Sequence, residues 1–309
     1  MSHRHVVVGA GPVGQATAAE LVRRGHEVVL ASRSGTGPSV EGVRRESVDA
    51  GDPDVLTKLV DGAEAFYNCI NPPSYTVWPT YWPPIAEALA TTAERTGAVL
   101  VVTGNLYPYG PLDRPMVEGL PDSAAGVKGA LRARMWADLA DRHAQGRLRA
   151  VEVRGSDYMG PGVTQAHVPI AAKRALAGKT ARVFGDPSAP HSMTDVRDMA
   201  TAMVTVAGEA TAWGRVWHAP TNPALSQAQT LADVCAAVGR PAPRVKAWPA
   251  AMLGVGGAVV PFLREMRETA YQFQRPYVLD SSAITEAFGL TPTPWDEVCR
   301  ATAEQVLAG

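Results

Sequence analysis

Three glycines near the N-terminus have a spacing that is typical of phosphate binding. Gly9, Gly11 and Gly14 form the pattern G-x-G-x-x-G, between an apolar run and a segment with helical periodicity. In this pattern the first glycine permits a tight turn, the second lets the backbone approach a pyrophosphate, and the third allows close packing of helix on strand. Pro12 and Val13 open the helix, whose N-terminal N–H groups and positive dipole end would face the phosphates. The sequence therefore predicts a dinucleotide site, the alternative being an ordinary βα turn rich in glycine.

The end of the second apolar run distinguishes between two forms of such a cofactor. A carboxylate at this point would bind the ribose 2′-hydroxyl of NAD(H). The chain has Ser32 and Arg33 instead, and a guanidinium beside a hydroxyl suits a 2′-phosphate. NADP(H) is therefore favoured, NAD(H) is possible, and Arg33 as a solvated loop residue is the alternative. Asp49, at the end of the third run, either holds the adenine amino group or caps the helix that follows.

An α/β fold must position these residues. Apolar runs alternate with helical segments up to Gly160, which indicates a parallel sheet covered on both faces. We predict a Rossmann-type doubly wound parallel sheet of six or more strands from residues 1–160, with residues 193–222 returning to it. Beyond Gly160 the alternation is lost, and residues 161–192 and 223–309 are predicted to form a smaller, mixed C-terminal substrate lobe.

Composition excludes several classes of protein. The chain has 309 residues, of which 46% are hydrophobic and 19% charged, with a net charge of −1. This composition indicates a folded protein and gives no basic excess for nucleic-acid binding. The three cysteines form no C-x-x-C pair and no histidine pattern indicates a metal, so we expect no metal site and a reduced, cytoplasmic environment. No signal peptide is evident, and the uncharged segment between Lys246 and Arg264 contains prolines and glycines, which favours a buried helix–turn over a membrane anchor.

Several segments together resemble the short-chain dehydrogenase/reductase superfamily in its extended, epimerase/dehydratase-like form. They are VVVGAGPVG, VVTGNLYPYGP, VRGSDYMGPG, HSMTDVRDMA, RVWHAP and FGLTPTPWDEVCRAT. The resemblance implies a nicotinamide cofactor, a serine or threonine after the fifth strand, and a Tyr-x-x-x-Lys pair on the next helix. In this alignment Lys128 takes the lysine position, Asn105 the serine position, and Ala124 stands where the tyrosine belongs. The chain is thus identified as an atypical member without the usual catalytic tyrosine.

Tyr107 is the expected replacement for that tyrosine. Residues two apart in an extended segment face the same way, so Tyr107 should share a cleft with Asn105. Asn105 would polarise a substrate carbonyl, and Lys128 would hold the nicotinamide ribose and lower the pKa of Tyr107. The alternatives are an aromatic lid for Tyr107 and a solvated helix lysine for Lys128. Arg132 and Arg134 are expected at the surface.

The loop after the fourth strand is rich in aromatic residues and proline, with Tyr75 and Trp78 among them. Ligands of this type of fold bind outside the carboxyl ends of the strands, so these rings are predicted to form an apolar substrate wall. Asn71 lies nearer the strand and is predicted to contact the cofactor. Further predicted substrate contacts are Tyr109, Tyr158 and His191.

Three functions follow from these residues. The first is an NADP(H)-dependent oxidoreductase that acts on a small, fairly apolar carbonyl or alcohol with a non-standard proton donor. The second is an epimerase, dehydratase or cyclase that uses tightly bound NADP, and the third is a non-catalytic NADP(H) sensor. The resemblance also implies a homodimer, in which the helices predicted at Pro84–Thr96 and Ser123–His143 would pack against their copies.

Overall fold

The computed structural model describes residues 2–249 and 261–309, with the side chains of residues 261–264 left aside. The segment between Lys246 and Arg264, for which the sequence predicts a buried helix–turn, lies largely outside the described residues. Among the helices that are described, none is long and apolar enough to cross a membrane.

A sheet of seven parallel strands forms the centre of the molecule, in the order β11-β6-β5-β4-β1-β2-β3. Its strands are β1 (Arg4–Val8), β2 (Glu27–Ser32), β3 (Val43–Ser47), β4 (Ala65–Asn68), β5 (Val99–Asn105), β6 (Arg149–Gly155) and β11 (Val216–His218). The strand order reverses direction between β1 and β4, which opens a crevice at the carboxyl ends of the strands. The predicted Rossmann-type fold is confirmed, and β11 lies beside β6 as the seventh parallel strand.

Helices cover both faces of this sheet, and its strands are largely buried except for the edge strand β3. The first six helices are α1 (Pro12–Arg23), α2 (Pro53–Val60), α3 (Trp78–Thr96), α4 (Val127–Ala144), α5 (His167–Leu176) and α6 (Val196–Gly208). Helices α1 and α6 pack in one core, and α2, α3 and α4 pack in the other. The helix predicted at Ser123 begins instead at Val127, after the extended Gly126. Helix α3 begins six residues before the predicted Pro84; Pro79 lies in its first turn, where proline is tolerated, and Pro83 and Pro84 lie inside the helix.

The rest of the chain builds a smaller core beside the sheet, from α5, α7, α11 and β8. Its remaining helices are α7 (Gln227–Ala236), α8 (Pro261–Thr269), α9 (Tyr271–Gln274), α10 (Ser282–Phe288) and α11 (Trp295–Ala308). Its short strands pair in twos and are β7 (Asp157–Met159) with β10 (Met193–Asp195), β8 (Ala181–Val183) with β13 (Val245–Ala247), and β9 (Pro190–His191) with β12 (Leu225–Ser226). This part of the chain carries α8 and α9 over the carboxyl ends of the central strands.

Candidate active site

The turn between β1 and α1 has the geometry that a dinucleotide requires. Gly9 has a φ of 112°, and a Cβ on it would overlap the carbonyl group of Cys69. A Cβ on Gly14 would overlap the carbonyl oxygen of Gly9. Gly11 faces open space and is the N-cap of α1, where no side chain of the described residues caps the helix. The exposed N–H groups at this helix end therefore fit a pyrophosphate.

The residues at the ends of β2 and β3 lie at the edge of the same crevice. Ser32 has a buried hydroxyl that no described residue hydrogen-bonds. Arg33 is exposed, and its carbonyl oxygen accepts a 2.7 Å hydrogen bond from the Ser47 hydroxyl. Asp49 is exposed and accepts from Gly51 N. Asp52, and not Asp49, caps α2, so the capping alternative for Asp49 is wrong and its adenine contact stays a prediction.

A cavity of about 670 Å³ extends from the glycine turn across the carboxyl ends of β4, β5 and β6. The residues singled out from the sequence that line it are Gly11, Pro12, Val13, Asn71, Tyr75, Trp78, Asn105, Tyr107 and Tyr158. The other residues predicted for the site do not line it, namely Gly9, Gly14, Ser32, Arg33, Asp49, Tyr109, Lys128 and His191. The structure thus joins the cofactor turn, the aromatic loop and the end of β5 in one space.

Tyr107 and Asn105 share this cavity through a short 3₁₀ turn (Tyr107–Tyr109) that follows β5. The Tyr107 amide N–H donates to Asn105 Oδ1 at 3.1 Å, which leaves the Asn105 amide nitrogen as a donor. The Tyr107 and Tyr75 hydroxyls lie 2.8 Å apart. Burial raises the pKa of the Tyr107 phenol well above its usual range. The expectation that a nearby lysine lowers this pKa is therefore wrong.

Lys128 has a different environment from the one expected. Its side chain is 3% exposed, and Nζ lies 2.8 Å from Glu265 Oε2 and 2.9 Å from Glu268 Oε2, both on α8. Its amide N–H donates to Glu268 Oε1 at 2.6 Å, which caps the start of α4. Two carboxylates thus pair the charge of Lys128, which does not line the cavity although Nζ lies 5.3 Å from the centroid of the Tyr75 ring, and this pairing disfavours the ribose-binding role predicted for it. Ala124 precedes the helix, so it does not stand one helical turn before Lys128.

Arg132 lines the cavity, although the sequence interpretation placed it at the surface. It lies one turn after Lys128 and is 5% exposed. Its Nη2 donates to the carbonyl oxygen of Thr103, and its guanidinium lies 5.1 Å from the centroid of the Trp82 ring. Burial lowers the pKa of Arg132, but an arginine stays charged at neutral pH. Arg132 follows Lys128 by four residues, so the two side chains share one face of the helix, and this spacing could have predicted that Arg132 is buried. Arg134 is exposed, as expected.

The remaining predicted substrate residues divide into one that lines the cavity and two that do not. Tyr158 lines it, and its buried hydroxyl has no hydrogen-bond partner among the described residues. Tyr109 is 1% exposed and its hydroxyl bonds His218 Nε2 at 2.8 Å, so its predicted substrate contact is wrong. His191 is equally buried and lies behind Asp157, with Nε2 3.2 Å from Asp157 Oδ2. Within the described residues no cluster of side chains could hold a metal ion.

The fold and the cavity define an enzyme that uses a nicotinamide dinucleotide, bound at the glycine turn of a Rossmann-type sheet. Residues 5–217 match the model of the NAD dependent epimerase/dehydratase family, and the chain belongs to that family. The match covers the sheet from β1 into β11. It includes all of the cavity-lining residues except Gln272 and Tyr277. No curated protein matches the chain in sequence.

Solved structures share this fold over the whole chain at low identity. One is a dTDP-glucose 4,6-dehydratase from Bacillus anthracis in complex with NAD, with 13% identity, a TM-score of 0.79, and coverage of 100% of this chain and 97% of that one. A UDP-glucose 4-epimerase from Thermus thermophilus in complex with NAD has 19% identity, a TM-score of 0.77 and 99% coverage of both chains. A UDP-N-acetylglucosamine 4-epimerase from Methanobrevibacter ruminantium, in complex with UDP-N-acetylmuramic acid, has 14% identity, a TM-score of 0.80 and 99% coverage of both chains.

Proposed function

We propose that the chain is an NADP(H)-dependent oxidoreductase that reduces a small, largely apolar carbonyl compound. The observation that carries this proposal is the single cavity that contains both the glycine turn and the polar groups of Asn105, Tyr107 and Tyr158. When bound, the cofactor would supply the hydride. A carbonyl beside Asn105 would receive a hydrogen bond from its amide nitrogen and a proton from a phenol.

The protonation state of the cavity phenols favours reduction. Burial raises the pKa of Tyr107, and that of Tyr158 as well. Both hydroxyls are therefore protonated at neutral pH and can give a proton to the alkoxide that hydride addition creates. An epimerase or dehydratase that begins by oxidising an alcohol needs a base at this point, which a neutral phenol provides poorly.

The charges of the cavity favour a small substrate over a nucleotide sugar. A nucleotide diphosphate brings two negative charges, which proteins usually bind with several cations or with helix N-termini. Of the cations that the structure describes, Arg132 alone lines the cavity. The aromatic rings of Tyr75, Trp78 and Tyr107 lie 5.1–6.5 Å apart in pairs and form an apolar wall. This wall suits a small, partly aromatic carbonyl compound.

The preference for NADP(H) is supported by the end of β2. Ser32 has a hydroxyl without a partner among the described residues, and the exposed Arg33 follows it. Neither position carries the carboxylate that would favour a ribose 2′-hydroxyl. Arg33 is free to turn its guanidinium toward a 2′-phosphate.

The decisive experiment measures NADPH oxidation by the purified protein with a panel of aromatic and aliphatic aldehydes and ketones. UDP-glucose and dTDP-glucose serve as comparison substrates, and their products are analysed by chromatography. We expect NADPH consumption with members of the carbonyl panel only. Conversion of a nucleotide sugar without net NADPH consumption would instead support the epimerase/dehydratase alternative. NADPH binding without turnover of any compound would support a sensor.

A further inference from the structure

One part of the cavity wall is polar, and the proposed reaction does not use it. It consists of Asp157 at the start of β7, Gln272 at α9 and Tyr277 just beyond α9. Gln272 and Tyr277 are each 3% exposed. Gln272 Oε1 and the Tyr277 hydroxyl are both buried and have no hydrogen-bond partner among the described residues. Buried polar atoms are normally paired, so two unpaired atoms on one cavity wall indicate a ligand that pairs them.

Asp157 is the third member of this wall, and the His191 ring lies against its carboxylate. His191 Nδ1 lies 3.0 Å from the carbonyl oxygen of Gln272, and because a carbonyl only accepts, this nitrogen must carry hydrogen. His191 is stacked on Phe273 with an angle of 8° between the rings, which fixes the imidazole with Nε2 toward Asp157.

Asp157 Oδ2 lies 3.2 Å from that nitrogen, but the pair is not aligned as a hydrogen bond. Burial alone would raise the pKa of the Asp157 carboxyl, yet the contact with His191 outweighs it and lowers the pKa below its ordinary value. Asp157 Oδ2 is also buried without a hydrogen-bond partner among the described residues, and as a carboxylate oxygen it can only accept hydrogen bonds.

This wall lies close to the site proposed for the carbonyl. Asp157, Gln272 and Tyr277 line the same cavity as Tyr107, and after burial, which is the largest cause, the Asp157 charge contributes to the raised pKa of Tyr107. Asp157 is thus within electrostatic reach of the Tyr107 hydroxyl. A substituent next to the carbonyl could reach this wall while the carbonyl oxygen faces Tyr107.

We propose that the substrate carries a hydroxyl group beside its carbonyl, and that Asp157, Gln272 and Tyr277 bind this hydroxyl. The proposal rests on the proposed reductase function and names its substrate class. The hydroxyl would donate its hydrogen to Asp157 Oδ2 or to Gln272 Oε1, both of which only accept, and its oxygen would accept from the Tyr277 phenol. A carboxylate in the same place would be repelled by Asp157, so a hydroxy ketone fits and a keto acid does not.

The test uses two ketones of nearly equal shape, 2-hydroxy-1-phenylethanone and 1-phenylpropan-1-one, in which a methyl group replaces the hydroxyl. We compare kcat/KM for NADPH-dependent reduction of both by the wild type, Tyr277→Phe, Asp157→Asn and Tyr271→Phe. Tyr271 is the matched control, since it packs 6.2 Å from the Tyr277 ring on the same segment but does not line the cavity. The ratio between the two ketones is the readout, because their intrinsic reactivities cancel between variants.

We expect Tyr277→Phe and Asp157→Asn to lower the preference for the hydroxy ketone by about ten- to a hundred-fold, mainly through KM. Tyr271→Phe should leave it unchanged. The Tyr277 hydroxyl has no described partner to lose, so Tyr277→Phe should unfold at or above the wild-type temperature, which separates binding from folding. An unchanged ratio in both cavity variants would overturn the hydroxyl site while leaving the reductase proposal in place. Failure of every carbonyl compound to oxidise NADPH would instead overturn the reductase function, and the hydroxyl site with it.

Discussion

Arg132 donates a hydrogen bond from Nη2 to the carbonyl oxygen of Thr103, which anchors a cation of α4 at the carboxyl end of β5. Thr103 lies two residues before Asn105, so the anchored guanidinium is held beside the proposed carbonyl site. This hydrogen bond occupies one of five N–H donors, and the others have no hydrogen-bond partner among the residues that the structure describes. The guanidinium of Arg132 therefore places a positive charge at the end of β5, whereas the charge of Lys128 is paired with two glutamates on α8.

Replacement of Arg132 should weaken cofactor binding. We expect Arg132→Met to lower NADPH affinity about ten-fold, since a charge-assisted hydrogen bond contributes about 1.5–3 kcal/mol and part of it is offset by the lower cost of desolvation. Calorimetric titration measures this, and Arg132→Lys should recover part of the loss because the charge returns without the planar fork. Arg134→Met, on the exposed face of the same helix, is the control. Wild-type affinity in Arg132→Met would remove Arg132 from the cofactor site.

Lys128 should matter for stability and much less for cofactor binding. Lys128→Met leaves Glu265 and Glu268 without their buried cation, and both glutamates are about a quarter exposed, so water compensates part of the loss. We expect a destabilisation of about 1–3 kcal/mol and a Tm lower by several degrees. Calorimetric titration should show nearly unchanged NADPH affinity. A large loss of affinity at a wild-type Tm would place Lys128 back in the cofactor site.

The contrast between these two cations shows what the sequence could and could not predict. Val6–Val8 and Val28–Leu30 are buried β-branched and aliphatic runs, and their local pattern was enough to predict a parallel sheet. The glycine spacing was likewise local, and it correctly placed Gly11 at the start of α1. Such features depend on neighbours within a few residues, which any single sequence contains.

The partners of Lys128 lie 137 and 140 residues away in the chain, on a helix that no local pattern ties to α4. The start of α4 at Val127 was also unforeseen, since Gly126 and the cap from Glu268 set it through tertiary contact. The resemblance to the Tyr-x-x-x-Lys pattern assigns Lys128 to the cofactor site, and Arg132 on the same helix is expected at the surface. Tertiary ion pairing therefore accounts for the main error in the predicted site.

The choice of nicotinamide cofactor should depend on Arg33. Arg33→Ala should weaken NADPH binding about ten- to a hundred-fold, because a contact between guanidinium and a 2′-phosphate is lost, and leave NADH binding unchanged. Calorimetric titration of both nucleotides measures the two affinities. The control is Arg44→Ala on β3, where the guanidinium lies 2.9 Å from Glu46. Equal binding of NADH and NADPH by the wild type would contradict the assigned role of Arg33.

Two long helices offer a surface for self-association. Helices α3 and α4 lie side by side and are tied by Arg142, whose guanidinium lies 2.6 Å from Glu87 and 3.4 Å from Glu94. We expect two copies to pair these helices across a two-fold axis. Light scattering at micromolar concentration should then give about twice the 32.6 kDa mass of the chain. A mass of one chain at that concentration would contradict the dimer.

The proton donor is the last and most direct prediction, and it concerns Tyr107. Tyr107→Phe should lower kcat for carbonyl reduction by about 10²–10⁴-fold, the usual contribution of a general acid, and leave NADPH affinity nearly unchanged. Tyr158→Phe is the comparison, because Tyr158 also lines the cavity and its buried hydroxyl has no hydrogen-bond partner among the described residues. A larger loss in Tyr158→Phe than in Tyr107→Phe would assign the proton to Tyr158.

The pH dependence of the wild type tests the same assignment independently. A general acid must be protonated to act, and burial places the pKa of Tyr107 well above its ordinary value of 10.0. Deprotonation of Tyr107 should therefore cause no loss of kcat for reduction between pH 7 and about pH 10, with a fall only at higher pH. A phenol activated by an adjacent cation would behave oppositely, with reduction declining from near neutral pH as the proton is lost. Stopped-flow measurement of the hydride step across this range distinguishes the two, and a decline below pH 9 would show that Tyr107 is not the buried, neutral donor that its surroundings indicate.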